Sequence, residues 1–297
     1  MSPSRGGVPV GALLVVTAAA LWGTSGVAQE LAVPTASPVA VAALRVLVGG
    51  TLLVAIAAWR AGAAELARVV RYAPGPTAAA AAAMGVFQIG YLGGIRLTGV
   101  AVGTLVAIGS APVTAGIIDA VRGRAPGLRW GLATAVTLGG TALLVAPGGG
   151  DGARPVGVAL SLAAGAAYAT YAVASKKLLD TGVAPTSAVA VTFAATGVLL
   201  APTLLWSGVA WAGTTEGLLA TAWLGIVTIT AGYLFFVRGL GHVEAATATT
   251  LTLAEPLTAA LLAVAIVGER LSGAALVGAV LVAAGLLGAA GGRRSPV

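Results

Sequence analysis

Charge is scarce in this chain of 297 residues: Asp, Glu, Lys and Arg together make up 8% of it. A soluble domain carries roughly 25%. The shortfall leaves too few ionic groups to coat a water-facing globule. It excludes a soluble enzyme, a nucleic-acid binder and a disordered chain. Cysteine is absent and histidine occurs once, at His242, which removes a disulfide framework, a thiol nucleophile and a Cys/His metal cluster. No phosphate-cradling Walker loop occurs, and the GG and GGG runs read as turns. No cofactor and no metal are expected. Aromatic residues reach only 5%, so the position of each one is informative.

What the chain has is hydrophobic length: 58% of its residues are hydrophobic and the mean hydropathy is +1.01. A membrane helix needs about 20 mostly apolar residues. Ten windows qualify, at 8–31, 38–59, 76–95, 99–121, 128–146, 155–174, 186–206, 217–237, 245–267 and 273–291. They are continuous apolar runs, not the alternating strands of a barrel, so an all-α integral membrane protein is expected. The first window is longer than the apolar core of a signal peptide and has a counterpart inside the chain, so it reads as a span. With the N-terminus in the cytoplasm, twelve Lys and Arg fall on the cytoplasmic side. Three, Arg96, Arg154 and Arg270, fall on the other, and Arg45 lies inside a span. This bias predicts both termini inside and an even number of spans in the cytoplasmic membrane.

The chain matches itself at an offset near 145. Gly11 and Trp22 align with Gly157 and Tyr168. Gly90-Tyr91-Leu92 with Arg96 aligns with Gly232-Tyr233-Leu234 with Arg238, and Pro112 aligns with Pro256. Two five-span units, 8–147 and 155–291, are predicted on either side of the glycine-rich turn at 148–151. Because five is odd, the second unit enters the membrane inverted. Inverted repeats around a midplane site suit alternating access.

The segment from Gly232 to Ser272 reads GYLFFVRGLGHVEAATATTLTLAEPLTAALLAVAIVGERLS. It resembles the end of an EamA-type domain of the drug/metabolite transporter superfamily. The likeness rests on the aromatic run before a short loop, Glu255-Pro256 in mid-span, and Gly268-Glu269-Arg270-Leu271 at the exit. The first half is similar more loosely, from Ala20-Leu21-Trp22-Gly23 through Arg45 to Pro112 and Gly123. The resemblance implies ten helices in two inverted five-helix repeats that move small metabolites, often as efflux. One departure matters: Ser110-Ala111-Pro112 stands where the second half has Ala254-Glu255-Pro256. A carboxylate role therefore belongs to one half only.

A charge at the bilayer centre costs about 2.5–3.5 kcal/mol on insertion scales. Arg45 and Glu255 both lie well inside spans. Their depths differ by roughly 8 Å at 1.5 Å per residue, a gap that two long side chains can largely close. Each has two readings: a fixed salt-bridge network, or a group that binds or titrates as the cavity moves. Pro112 and Pro256 disturb the bonds to Ile108 and Thr252 and are candidate hinges. Trp22, Tyr91, Tyr168 and Tyr171 are candidate cavity aromatics, as are Trp223 and Tyr233. Gln88 and Thr252 add polar selectivity, with helix packing as the alternative reading. The spacings Gly90/Gly94, Gly99/Gly103 and Gly131/Ala135/Gly139, and the six alanines from Ala78 to Ala83, read as packing surfaces.

The expectation is a secondary transporter or facilitator of small organic solutes, amino acids or related metabolites, directed outward. Glu255 is the candidate proton carrier. A channel-like pore and a membrane-embedded enzyme are the alternatives. The enzyme lacks a nucleophile–base set, and the channel lacks a filter segment. Besides the substrate the partner is the lipid bilayer, with no nucleic acid. Spans five and ten have two candidate uses, packing within the monomer or a homodimer seam.

Overall fold

A computed structural model of the chain describes residues 7–98, 100–145, 154–267 and 272–290. The turn at 148–151, Gly99, the exit motif at 268–271 and the terminal arginines Arg5, Arg293 and Arg294 lie outside the described residues. Among the described residues every regular element is helical. The first half contains α1 (Gly7–Ala32), α2 (Pro38–Ala61), α3 (Ala63–Tyr72), α4 (Pro74–Thr98), α5 (Val100–Val121) and α6 (Leu128–Val145). The second begins with α7 (Pro155–Asp180) and α8 (Pro185–Leu200), which passes through a 3-10 turn into α9 (Leu204–Ser207). Next, α10 (Thr215–Ala222) and α11 (Gly232–Leu240) are joined by a π-widened stretch, Trp223–Ala231. Then come α12 (Ala245–Leu251), α13 (Ala254–Leu262) and α14 (Gly273–Ala290).

Nine of the described helices are long and apolar enough to cross a membrane. The remaining expected window corresponds to α6, which pairs along α14. Helix ends follow backbone chemistry. Pro38, Pro155 and Pro185 open α2, α7 and α8, where a missing N–H costs nothing and φ is preset. Gly62 (φ +80°) breaks α2 from α3, and Gly182 (φ +79°) turns α7 into α8; both are conformations that favour glycine.

Helix α3 is not among the spans the sequence predicts, whose windows leave residues 60–75 between them. It is amphipathic. Val69 is buried against Leu178, Val183 and Ala188, while Arg68, Arg71 and Tyr72 are exposed. Glu65 accepts from Arg68 (2.7 and 2.9 Å) and from the Ala184 amide (3.4 Å), which ties α3 to the α7–α8 turn.

The two halves interleave. α4 lies along α7 and, in the mirrored arrangement, α1 lies along α11. The pairing of α5 with α7 is repeated by α1 with α13, and that of α4 with α8 by α2 with the π stretch. α2 meets its own repeat mate α8, and α6 meets α14. This is the contact pattern of a pseudo-two-fold axis. Glycines set the closest approaches. A Cβ on Gly11 would stand 2.6 Å from His242 Cβ, and one on Gly157 would stand 2.6 Å from Leu97 Cβ, at matching positions of the two cross-repeat pairs. Gly90 also meets α7 at Leu160 and Ala164, as its spacing predicts. Gly131 and Gly139 are different: nothing lies within 4 Å of a Cβ there, so they form no packing face. Their neighbour Gly140 does the packing: a Cβ there would stand 2.7 Å from the Val282 amide nitrogen. The alanine run is also mixed: Ala80, Ala81 and Ala83 are buried, while Ala78, Ala79 and Ala82 are exposed.

Candidate functional site

A cavity of about 1470 Å³ enters the bundle from one end and reaches a floor at the middle of α1, α2 and the ninth span. Its mouth is formed by the α1–α2 connection (Val33 to Ser37), the end of α4 at Ile95 and Arg96, and Ser272 before α14. These segments all lie at the end of the bundle opposite the start of α1. At the opposite end, where α1 starts, Lys176 Nζ donates to the carbonyls of Leu240 (3.1 Å) and Gly241 (3.4 Å), tying α7 to the end of α11.

The floor carries both intramembrane charges. Arg45 on α2 is 9% exposed; its Nη2 donates to Gln88 Oε1 at 2.5 Å, and its Nε has no partner among the described residues. Glu255 on α13 also lines the cavity. The described residues give its carboxylate no hydrogen bond, and their ion pairs are Glu65–Arg68 and Lys176–Asp180. Arg45 and Glu255 thus face one space without bridging each other. Of the two readings from the sequence, the fixed salt bridge is absent from this structure.

The ninth span breaks at the floor. α12 ends at Leu251, and Leu253 N donates to Thr250 O (3.1 Å) while Glu255 N donates to Thr252 O (3.0 Å). Pro256 has no N–H to offer the Thr252 carbonyl, so the shorter bonds take its place. The break puts Glu255 in the first turn of α13, where the helix dipole favours a negative charge. Pro112 behaves differently: α5 runs through it as one helix. The matched prolines are thus unequal, and only Pro256 accompanies an interrupted helix.

Aromatic rings wall the floor. Trp22, Tyr91, Tyr168 and Tyr233 all line it. Trp22 stands 6.3 Å from Tyr168 edge-on and 4.7 Å from Tyr233. Its Nε1 donates to the Thr228 carbonyl (2.9 Å). That carbonyl lies in the π-widened stretch, the kind of helix irregularity found at functional sites. Tyr91 Oη pairs with Thr104 Oγ1 (3.2 Å). The Tyr168 hydroxyl faces Thr252 outside hydrogen-bond geometry and has no hydrogen-bond partner among the described residues. Thr252 lines the floor but spends its own hydroxyl on the Thr249 carbonyl (2.8 Å).

Three candidates fall elsewhere. Gln88 is fully buried behind the wall, where it holds Arg45 and faces Met84 Sδ (3.8 Å). Tyr171 is 1% exposed and packs behind Tyr168. Trp223 is 45% exposed on the bundle's outside, its Nε1 donating to Thr24 Oγ1 (3.0 Å). The sequence reading missed Met84, whose sulfur also takes the Tyr233 hydroxyl (3.7 Å). It also missed the Thr228 carbonyl, because backbone acceptors leave no trace in residue type.

Comparison with known proteins agrees with this architecture. The model of the EamA-like transporter family matches residues 9–146 and again residues 155–290. The uncharacterized transporter YwfM of Bacillus subtilis (strain 168) is 38% identical over 258 residues, covering 86% of each protein. A chain of known crystal structure superposes with a TM-score of 0.79 over 94% of this chain and 96% of its own, at 23% identity, a likeness of fold.

Proposed function

The chain belongs to the EamA-like transporter family, and on that premise we propose that it exports small zwitterionic organic solutes, amino acids or related metabolites, across the cytoplasmic membrane. One observation carries this reading. Arg45 and Glu255 share a cavity floor, unpaired with each other, between aromatic faces. A guanidinium takes a carboxylate, and a carboxylate beside aromatic faces takes an ammonium. A solute that carries both groups satisfies both residues at once, and an apolar side chain can rest on Trp22 and Tyr233.

The mechanism is alternating access across a ten-span bundle with α6 as the fifth span and both termini cytoplasmic. In that orientation the cavity mouth faces outward. The glycine contacts fuse α1 to α11 and α4 to α7. The rigid bodies that rock are therefore cross-repeat groups, not the two sequence halves, and the break before Pro256 supplies the hinge. Glu255 carries the coupling proton. The extensive α6–α14 pairing favours their use inside the monomer over a dimer seam.

The test is counterflow in proteoliposomes preloaded with unlabelled amino acids and metabolites. The wild type should accelerate entry of a labelled zwitterion, and analogues lacking the carboxylate or the ammonium should not compete. Glu255→Gln should bind the zwitterion more weakly, exchange it only at raised solute concentration, and fail to concentrate it under a pH gradient. If Glu255→Gln responds to pH like the wild type, the coupling role falls. If no panel member exchanges, the zwitterion assignment falls.

A further inference from the structure

A second cavity of about 290 Å³ lies at the end of the bundle away from the cavity mouth, between α4, α5 and α7. We propose that this crevice binds the phosphate headgroup of an anionic phospholipid, with Arg122 and Lys177 as its cationic rim and an acyl chain against its apolar wall. Arg122 follows the end of α5, and Lys177 sits in the last turn of α7. Both are exposed, and the ion pairs of the described residues involve neither. Of the neighbouring acids, Asp180 pairs with Lys176 at 3.9 Å, and Asp119, 8% exposed, is near enough to act on Arg122 electrostatically but forms no ion pair with it among the described residues. The wall is formed by Pro76, Ile118 and Val173, with Thr170 beside them. Thr170 donates to Ala166 O, so its hydroxyl oxygen retains acceptor capacity only. Three residues before Gly75 of the crevice, Tyr72 is 73% exposed with the Arg71 guanidinium 5.9 Å from its ring. That aromatic–cation pair suits the membrane interface.

The inverted repeat supplies an internal control. The α1/α7 offset is 168 − 22 = 146, and the α5/α13 offset is 256 − 112 = 144. Lys177 therefore corresponds to Leu31, and Arg122 to Ile266, both exposed apolar residues. Cations occupy this position only in the copy at the Arg-rich end of the molecule. A packing role would not need that asymmetry, whereas a leaflet rich in anionic lipid would exploit it. Basic pockets between helices on the cytoplasmic side bind such headgroups.

The full chain, purified in detergent, is titrated with phosphatidylglycerol, phosphatidylcholine or inorganic phosphate while thermal unfolding and lipid retention by native mass spectrometry are followed. Phosphatidylglycerol should be retained and should raise Tm; phosphatidylcholine and inorganic phosphate should do neither. Arg122→Ala with Lys177→Ala should weaken phosphatidylglycerol binding by about thirtyfold, from two near-surface cations. Arg122→Lys with Lys177→Arg should restore it. If the double alanine variant does not fold, Lys177→Gln alone should still weaken retention severalfold. Equal retention by neutralised and wild-type protein overturns the proposal. So does a Tm rise with inorganic phosphate equal to that with phosphatidylglycerol, which would mean a soluble-anion site. Lipid retention requires no transport, so failure here leaves the solute assignment standing.

Discussion

Gln88→Leu isolates what holds the intramembrane arginine. Gln88 is fully buried, and its Oε1 accepts from Arg45 Nη2 at 2.5 Å. Leucine has nearly the same volume, so the cavity cost is small and the polar loss dominates. A hydrogen bond to a charged group is worth about 1.5–3 kcal/mol net. Arg45 Nε already has no partner, so the guanidinium loses its one protein acceptor among the described residues. We expect Gln88→Leu to cost about 2 kcal/mol. Arg45→Met should cost about 1–3 kcal/mol, because it leaves a buried amide oxygen unpaired. The double variant should cost clearly less than the sum, since replacing both partners with apolar groups removes the unmet demand along with the bond. The measurement is a double-mutant cycle on the four proteins, with unfolding followed by tryptophan fluorescence during SDS titration of mixed micelles. The expected coupling is about 1.5–3 kcal/mol. Additivity within about 0.5 kcal/mol would refute the claim that Gln88 positions Arg45.

Further outcomes follow from packing, access and charge. Gly157→Val forces a side chain into Leu97 and should cost about 1–3 kcal/mol or more. Gly139→Ala meets open space and should be neutral or stabilising by up to about 1 kcal/mol; thermal unfolding in detergent separates the two. The native chain has no cysteine, so every introduced thiol is unique. Ser25→Cys and Ala259→Cys, both lining the cavity, should react with a membrane-impermeant thiol reagent added outside cells. Ser175→Cys, 4% exposed towards the closed end, should not react, and the reverse pattern would invert the proposed orientation. The Arg68 guanidinium beside Glu65 holds that carboxyl below its ordinary range. The tether of α3 therefore has its full strength above the ordinary carboxylate pKa, near 4.3, and is lost as pH falls through the depressed value. A spin label at Ala64→Cys should gain mobility on acidification, and Glu65→Gln should be mobile throughout. A label unchanged between pH 7 and strong acid would refute the tether.

Most of the helix framework is legible in residue order because a bilayer demands long apolar runs, and proline and glycine mark their ends. Helix α3 escaped because ten residues are too short for a span window, and Glu65, Arg68 and Arg71 look like loop. Leu66, Val69 and Ala73, spaced three and four apart, were the available signal. That Arg45 and Glu255 lie inside apolar spans was also legible, since charges stand out against such runs. Their surroundings were not. Which face of α4 carries Gln88 depends on the cross-repeat contact of α4 with α7, and no local period encodes that contact. Trp223 shows the same limit: the π-widened turn that begins there departs from a 3.6-residue period, so a regular helical face is no guide to it.

The location of the floor follows from the repeat itself. Trp22 and Tyr168 are repeat mates, as are Tyr91 and Tyr233, and all four line one cavity. A residue and its mate can share a small site only where the pseudo-two-fold axis passes, so the floor sits on that axis. The charges have no such mates. Applying the 144 offset to Glu255 gives Ala111, and the offset of Pro185 from Pro38, which is 147, carries Arg45 to Thr192. A transporter whose two states are related by this axis would present symmetric aromatics to the solute from either side. The single guanidinium and single carboxylate must serve both states. In such a transporter, placement near the axis would let one pair do so, because that region alone would belong to both the outward and the inward cavity. The uneven prolines fit the same logic: the helix that carries the lone carboxylate is the one that breaks, while α5 runs through Pro112 as an unbroken helix.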